Sequence, residues 1–211
     1  MSDQEMHDHR DGHTPADWNA HYNQSEQIWS GHANAQLIAE AADLSPGRAL
    51  DVGCGEGADA IWLAHQGWDV TGVEVSDVAL ERARQQAALA EVSVDWQLGA
   101  FPRMPSSDNA FDLTIAFYPA LMKNDGQVIA ALFRSVAPGG TLLFVHHADV
   151  DHGRAKAHGF NPDDFVGVDD VAAAAPEGWT IEAHEERDRE ILGGAGAHHA
   201  RDLVLRIRRG S

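Results

Sequence analysis

Apolar residues along this chain follow two rhythms. The first thirteen residues, MSDQEMHDHRDGH, are polar and aperiodic, which predicts a disordered arm. Thr14-Pro15 then supplies an N-cap and a first helical position, with Asp17 well placed in the first turn, and a helix through Trp18 and Tyr22 is expected. WSGH at 29–32 interrupts it. A second helix is predicted from about Ala33 to Ala42, with Leu37, Ile38 and Ala41 on one face, ended by SPG at 45–47.

From there the rhythm switches repeatedly between strand and helix. Strands are predicted at Ala49–Val52, Asp69–Val75, Val92–Leu98, Phe111–Tyr118 and Thr141–Val145. Between them fall helices at Ala58–Gln66, closed by Gly67, at DVALERARQQAALAE, capped by Ser76, and over roughly 126–136, followed by an APGG turn. Such alternation predicts an α/β protein with a doubly wound, mostly parallel sheet covered by helices on both faces. The tail differs. After a helical piece near Asp163–Ala174, the runs Trp179–Glu185 and Asp202–Ile207 have no helical pattern between them, so an antiparallel hairpin at the sheet edge is expected. Neither internal repeats nor a second domain are visible. The expected organisation is an arm over 1–13 and one domain over 14–211, divided into a helical lid (14–44), a core (45–147) and a substrate-side helix with edge strands (148–211).

Composition narrows the function. The 211 residues are 44% apolar and 23% charged, ordinary for a globular chain long enough to bury a full core. No apolar run approaches a membrane span and the polar start carries no secretory h-region, which makes the cytoplasm the expected location and excludes a membrane partner. A single cysteine, Cys54, excludes an internal disulfide and any Cys-based zinc cluster. The net charge of −18 repels phosphate backbones and points away from nucleic acid, toward a small molecule or a cationic group.

The chemistry concentrates in DVGCGEGAD, residues 51–59. Gly53, Gly55 and Ala58 satisfy a relaxed dinucleotide fingerprint, so NAD has to be weighed. The charge opposes it. Asp51, Glu56 and Asp59 surround the loop, and no Lys or Arg occurs between residues 49 and 81. Three carboxylates around a diphosphate would cost several kcal/mol. They would instead attract a cofactor bearing an ammonium and a sulfonium, and S-adenosylmethionine (SAM) has both. Glu74, at the end of the second strand, is placed to accept hydrogen bonds from a ribose diol, which suits any adenosine cofactor.

With APGG at 137–140 and FDLTIAFY at 111–118 added, ALDVGCGEGADAIWLAHQGWDVTGVEVS, FDLTIAFY and APGGTLLFV resemble the successive motifs of class I SAM-dependent methyltransferases, over about residues 45–147. The resemblance implies a Rossmann-like, seven-stranded sheet and S-adenosylhomocysteine as product. It places Asp51, Gly53, Cys54, Gly55, Gly57 and Asp59 at the methionine end of SAM, Glu74 on the ribose and Val75 on the adenine. The family often carries an acid after the third strand; here Ala100 stands there, with Phe101 or a backbone carbonyl as its substitute. Phe117 and Tyr118 would face the methyl group and the acceptor. WLAHQGWDVTGVEVSDVAL and DWNAHYNQSEQIWSG look most like the small-molecule branch, including thiopurine and tellurite-resistance enzymes, in which an aromatic N-terminal segment folds over the cofactor.

Individual residues have competing readings. Trp18, Tyr22 and Trp29 are either core aromatics or a lid, with Trp29, beside the Ser30-Gly31 break, the strongest cofactor contact. Cys54 reads as a buried filler. Among thirteen histidines, His7, His9 and His13 fall in the arm, and strand alternation sends His146 and His147 to opposite faces, so no purposeful metal site is expected. His146 and His147 end the fifth strand, where open sheets place ligands, and either is a candidate proton acceptor alongside Tyr118, Asp149 and, less directly, His198 or His199. The mixed run Glu185–Glu190 reads as a solvated edge. The expected reaction is SN2 methyl transfer to a nucleophilic S, N, O, Se or Te atom of a small molecule, by a monomer or homodimer. A SAM-binding sensor without catalysis, an enzyme acting on a basic peptide and an NAD-dependent oxidoreductase are the alternatives.

Overall fold

The computed structural model describes residues 14–103, 108–123, 127–157, 161–189 and 199–211, and its seven strands there form one sheet. They are β1 (Arg48–Val52), β2 (Asp69–Glu74), β3 (Asp95–Leu98), β4 (Phe111–Phe117), β5 (Val136–His147), β6 (Trp179–Asp188) and β7 (Arg201–Arg209). Their spatial order is β3-β2-β1-β4-β5-β7-β6. The first five pair in parallel, while β7 runs antiparallel to both β5 and β6. The expected mostly parallel sheet with an antiparallel C-terminal pair is therefore present. The connection at 190–198 and the N-terminal arm lie outside the described residues.

The sheet is buried on both faces because its central strands alternate between two cores. Leu142 and Phe144 of β5 pack with Val128, Leu132 and Phe133 of α5 (Val128–Ser135) and with Val168 and Val171 of α7 (Val168–Ala173). Leu143 and Val145 point the other way. They join Leu37 and Ala41 of α2 (Ala35–Ala41) and Ala60 and Leu63 of α3 (Ala58–His65). Each such side chain contributes about 1.5–3 kcal/mol by leaving water. Local signals start the helices. Thr14 Oγ1 accepts the Asp17 N–H, and Asp17 accepts the Thr14 N–H, in a capping box that opens α1 (Pro15–Tyr22). Ser76 Oγ accepts the Ala79 N–H and opens α4 (Asp77–Leu89).

Four local expectations are corrected. Ile38 is exposed, and the inner face of α2 carries Gln36 and Glu40 with Leu37 and Ala41. Those polar groups are buried because the edge strands bring partners: Gln36 Nε2 donates to the Asp188 carbonyl, and Arg187 and Arg206 reach Glu40. The third strand begins at Asp95, since the Val92 N–H is spent closing α4 on the Ala87 carbonyl. APGG is not a turn outside the sheet but a bulged stretch of β5, whose register shifts between Phe111 and Leu113. The helix expected near Asp163–Ala174 divides into a 3-10 turn (Pro162–Asp164) and α7, because Phe165 and Val166 pair with Met122 and Leu121 between them. A further helix, α6 (His152–Ala157), has no apolar period to announce it.

One glycine ties helix to sheet. Gly57 caps α3 with φ 85°, and a Cβ there would lie 2.6 Å from Trp96 and 2.9 Å from Ala83. Gly57→Ala should therefore destabilise the protein by about 2–4 kcal/mol, read as a lower urea midpoint. An unchanged midpoint would contradict this packing.

Candidate functional site

The sheet order reverses at β1, which has β2 on one side and β4 on the other, and open parallel sheets bind ligands in that crevice beyond the strands' C-terminal ends. Here the ends of β1, β2, β4 and β5 open on a cavity of about 1100 Å³. Clefts for one ligand usually hold about 300–1000 Å³, so a cofactor and a second molecule have room together. Among the residues the sequence points to, Trp29, Asp51, Gly53, Cys54, Gly55, Gly57, Asp59, Glu74, Val75, Ala100, Phe101, Phe117, Tyr118, His146 and His147 line this cavity.

The loop after β1 is held by β2. The N–H groups of Gly53 and Cys54 both donate to the Val73 carbonyl, at 2.9 and 3.1 Å, and the Gly55 N–H donates to Glu74 Oε2 at 3.1 Å. Gly55 has φ 52°, and a Cβ on it would meet the Tyr22 hydroxyl at 2.9 Å. Protein atoms thus occupy the space that a Cβ on Gly55 or Gly57 would need, while both residues line the cavity. Cys54 is buried, and burial followed by Asp51 and Glu74 raises its thiol well above the usual range, which fits the filler reading.

Three buried carboxylates line the same end, and each has a different environment. Asp59 accepts the Asn34 N–H at 2.8 Å and its side-chain amide at 2.6 Å. Glu74 accepts the N–H groups of Val75 and Ser76 besides that of Gly55. Asp51, 2% exposed, has an Oδ2 with no partner among the described residues. Burial, then Asp59 and Glu74, pushes the Asp51 carboxyl well above the usual carboxylate range. Burial also raises Asp59 and Glu74 against the hydrogen bonds they accept.

Glu56 departs from the sequence argument. Its carboxylate pairs with Arg82 at 2.7 Å and accepts the Trp29 N–H at 3.0 Å. Arg82 also donates to the carbonyls of Tyr22 and Ser25. This pair fastens segment 22–29 over the loop and leaves Glu56 compensated; the uncompensated acid facing the cavity is Asp51. Trp18, Tyr22 and Trp29 line the cavity roof, and Trp29 Nε1 donates to the Tyr22 hydroxyl at 3.1 Å.

The opposite end is aromatic and basic. The His147 ring stacks between Tyr118, at 4.2 Å, and His199, at 3.9 Å. His146 meets the Tyr118 ring edge-on at 6.4 Å, so both histidines flank one residue although strand alternation predicted separation. The cavity wraps the strand's end, where either face of β5 reaches it. Burial, then His147, lowers the His146 imidazole to about 4. Tyr118 donates its hydroxyl to Asp202 at 3.0 Å, and burial with that carboxylate raises the phenol. Two further residues here were missed as site groups. Asp202, 1% exposed, opens a run that the sequence marks only as an edge strand, and Arg189 falls in the run that reads as a solvated edge. Arg189 lines the cavity, its guanidinium 5.2 Å from the Tyr118 ring. No local pattern marks either one, because β7 returns antiparallel to reach β5. Asp149, the other candidate base, bonds to His199 and the Ala200 N–H. His198 lies outside the described residues.

Comparison with known proteins agrees with this geometry. Residues 49–140 match the family model described as a methyltransferase domain. A malonyl-[acyl-carrier protein] O-methyltransferase of Pseudescherichia vulneris is 32% identical over 133 residues, covering 59% of this chain and 51% of the relative. The chain spans about half the length of the curated relatives it matches. A structure described as concerning conversion of a disulfide bond into a thioacetal group during echinomycin biosynthesis aligns with a TM-score of 0.72 at 25% identity, over 94% of this chain and 93% of that one. The N-methyltransferase NodS of Bradyrhizobium japonicum, solved with S-adenosylhomocysteine, shares the fold at a TM-score of 0.69 and 19% identity, over 94% and 100%. Residues 49–140 are thus similar to a methyltransferase domain, within a fold that NodS shares.

Proposed function

We propose that the protein transfers a methyl group from SAM to a nucleophilic atom of a small molecule. The observation that carries this is the unpartnered Asp51 Oδ2, buried beside Asp59 and Glu74 in the crevice beyond β1. A buried carboxylate without a partner is costly, and a ligand ammonium removes the cost where a pyrophosphate would add to it. Asp51 would hold the amino group of the cofactor's methionine end. Glu74, with three backbone donors already on it, retains acceptor capacity for a ribose hydroxyl. Val75, Ala100 and Phe101 would wall the adenine. When bound, SAM supplies an electrophilic methyl group and leaves as S-adenosylhomocysteine.

The remaining tasks fall to this chain's own residues. Segment 14–44, fastened by Glu56 and Arg82, acts as a lid that excludes water, and Trp29 covers the cofactor. Phe117 and Tyr118 orient the acceptor against the methyl position. His146, His147 and Tyr118 form the acceptor end. Related enzymes differ in acceptor: the P. vulneris protein is named for oxygen and NodS for nitrogen. The acidic composition favours a small acceptor over nucleic acid.

Calorimetry tests the cofactor. SAM is expected to bind and NAD not; tight NAD binding without SAM binding would end the reading. Hydrogen bonds to charged groups are worth about 1.5–3 kcal/mol, so Asp51→Asn should weaken SAM binding by roughly 10- to 100-fold. The same variant has an opposite effect on the free protein. Because burial raises the folded-state Asp51 carboxyl above the ordinary carboxylate value of 3.8, its contribution to stability is full below that pH and is lost as pH rises through the folded value. Free Asp51→Asn is therefore expected to melt higher than the free wild type at pH 8, with no such gain at pH 3.5. A lower melting temperature at pH 8 would show that Asp51 is not strained in the empty site.

A further inference from the structure

Beyond that reading, and resting on it only for the methyl donor, we infer that His147 is the proton acceptor for the incoming nucleophile and that Asp202 positions it, so that the acceptors are phenols or other acidic hydroxyls whose reacting oxygen carries a hydrogen.

Elimination comes first. His146 Nδ1 accepts the His147 backbone N–H at 3.2 Å, and its ring also bonds the Pro119 backbone, which has only a carbonyl to offer. In a neutral imidazole that assigns the Nε2–H to Pro119, and no nitrogen is left for a substrate. The Tyr118 hydroxyl is committed to Asp202 as a donor, and its raised phenol stays protonated. Asp149 is engaged by His199 and Ala200. His147 remains.

Its surroundings are those of an oriented base. His147 and Asp202 are directly paired in the β5–β7 register. His147 Nδ1 is buried, has no closer polar partner among the described residues, and lies 3.5 Å from Asp202 Oδ1. A buried carboxylate on that side favours the Nδ1–H tautomer, which leaves the Nε2 lone pair on the ring's other edge. The stack on Tyr118 and His199 fixes the ring plane. Asp202 serves as a hub: besides Tyr118 and His147, it has Arg189 Nε at 3.9 Å. The titratable and charged groups facing the ring are thus Asp202, Arg189, His199, His146 and Tyr118. Burial, opposed by Asp202, lowers the His147 imidazole, so it is neutral and able to take a proton near pH 7.

The step balances. The acceptor hydroxyl gives its proton to His147 Nε2 while an oxygen electron pair forms the bond to the methyl carbon of SAM. The carbon–sulfur bond breaks with its pair left on sulfur, and the imidazolium passes its proton to water.

The experiment combines nitrogen-15 spectra of the histidine rings with rates on two acceptor panels, phenols and thiols already ionised at the assay pH. The wild-type His147 ring is expected as the Nδ1–H tautomer, shifting toward Nε2–H in Asp202→Asn. His147→Gln should lower kcat on phenols by about 10²–10⁴-fold, a loss at least tenfold larger than any it causes on the thiols, and leave SAM affinity unchanged by calorimetry. Asp202→Asn should lower the phenol kcat and move the acidic limb of its pH profile. An Nε2–H tautomer in the wild type, or phenol turnover surviving His147→Gln, would overturn the proposal. Failure of the wild type to bind SAM would instead remove the methyl-donor reading, while the tautomer still decides for or against the pairing. Should Asp202→Asn fail to fold, the wild-type tautomer and the His147→Gln rates decide alone.

Discussion

The structure is organised around a buried carboxyl group, bonded to the Ala60 backbone but with one oxygen left unpaired among the described residues. Asp51 sits at the end of a central strand, 2% exposed, with Oδ2 unbonded among the described residues and two other buried acids beside it. A chain selected for stability alone would put an apolar side chain there. The neighbouring groups reinforce the cost. Asp59 already accepts two hydrogen bonds from Asn34 and Glu74 three from backbone N–H groups, and neither is shown donating to Asp51 Oδ2. Strain of this kind persists where a ligand relieves it.

Placing that acid opposite an acceptor site requires the whole sheet. Parallel pairing of β2, β1, β4 and β5 aligns their C-terminal ends along one rim, so Glu74, Asp51, Tyr118 and His147 come from four strands yet share a cavity. The antiparallel return of β7 then inserts Asp202 beside His147 from the opposite chain direction. Without β7 the acceptor end would keep its rings and lose the carboxylate that orients them.

Legibility from sequence followed the range of the interactions. The glycine loop, the capping residues Thr14 and Ser76, and the strand ends were readable because each rests on a few adjacent residues. All the site residues chosen from motifs line the cavity for the same reason. What escaped was set across long separations. Glu56 looked like part of a negative rim, yet Arg82, on the next helix but one, neutralises it. Ile38 looked buried, but the Asp188 carbonyl draws Gln36 inward and Arg187 and Arg206 draw Glu40. Arg189 looked like a solvated edge residue, and only the β6–β7 pairing carries it to Tyr118.

The two ends of the cavity also differ in how their charges close. At the cofactor end the acids outnumber the cations, and Arg82 is used up by Glu56, which is the charge pattern that the proposed ligand ammonium would complete. At the acceptor end Asp202 is faced by Arg189, by the Tyr118 hydroxyl that donates to it and by the His147 ring, which leaves little net charge. A wall of that kind gives no advantage to an acceptor that arrives as a free anion and demands no cation. It suits a neutral molecule that becomes anionic only as its proton departs, and for that molecule an oriented imidazole is the one group the wall can offer.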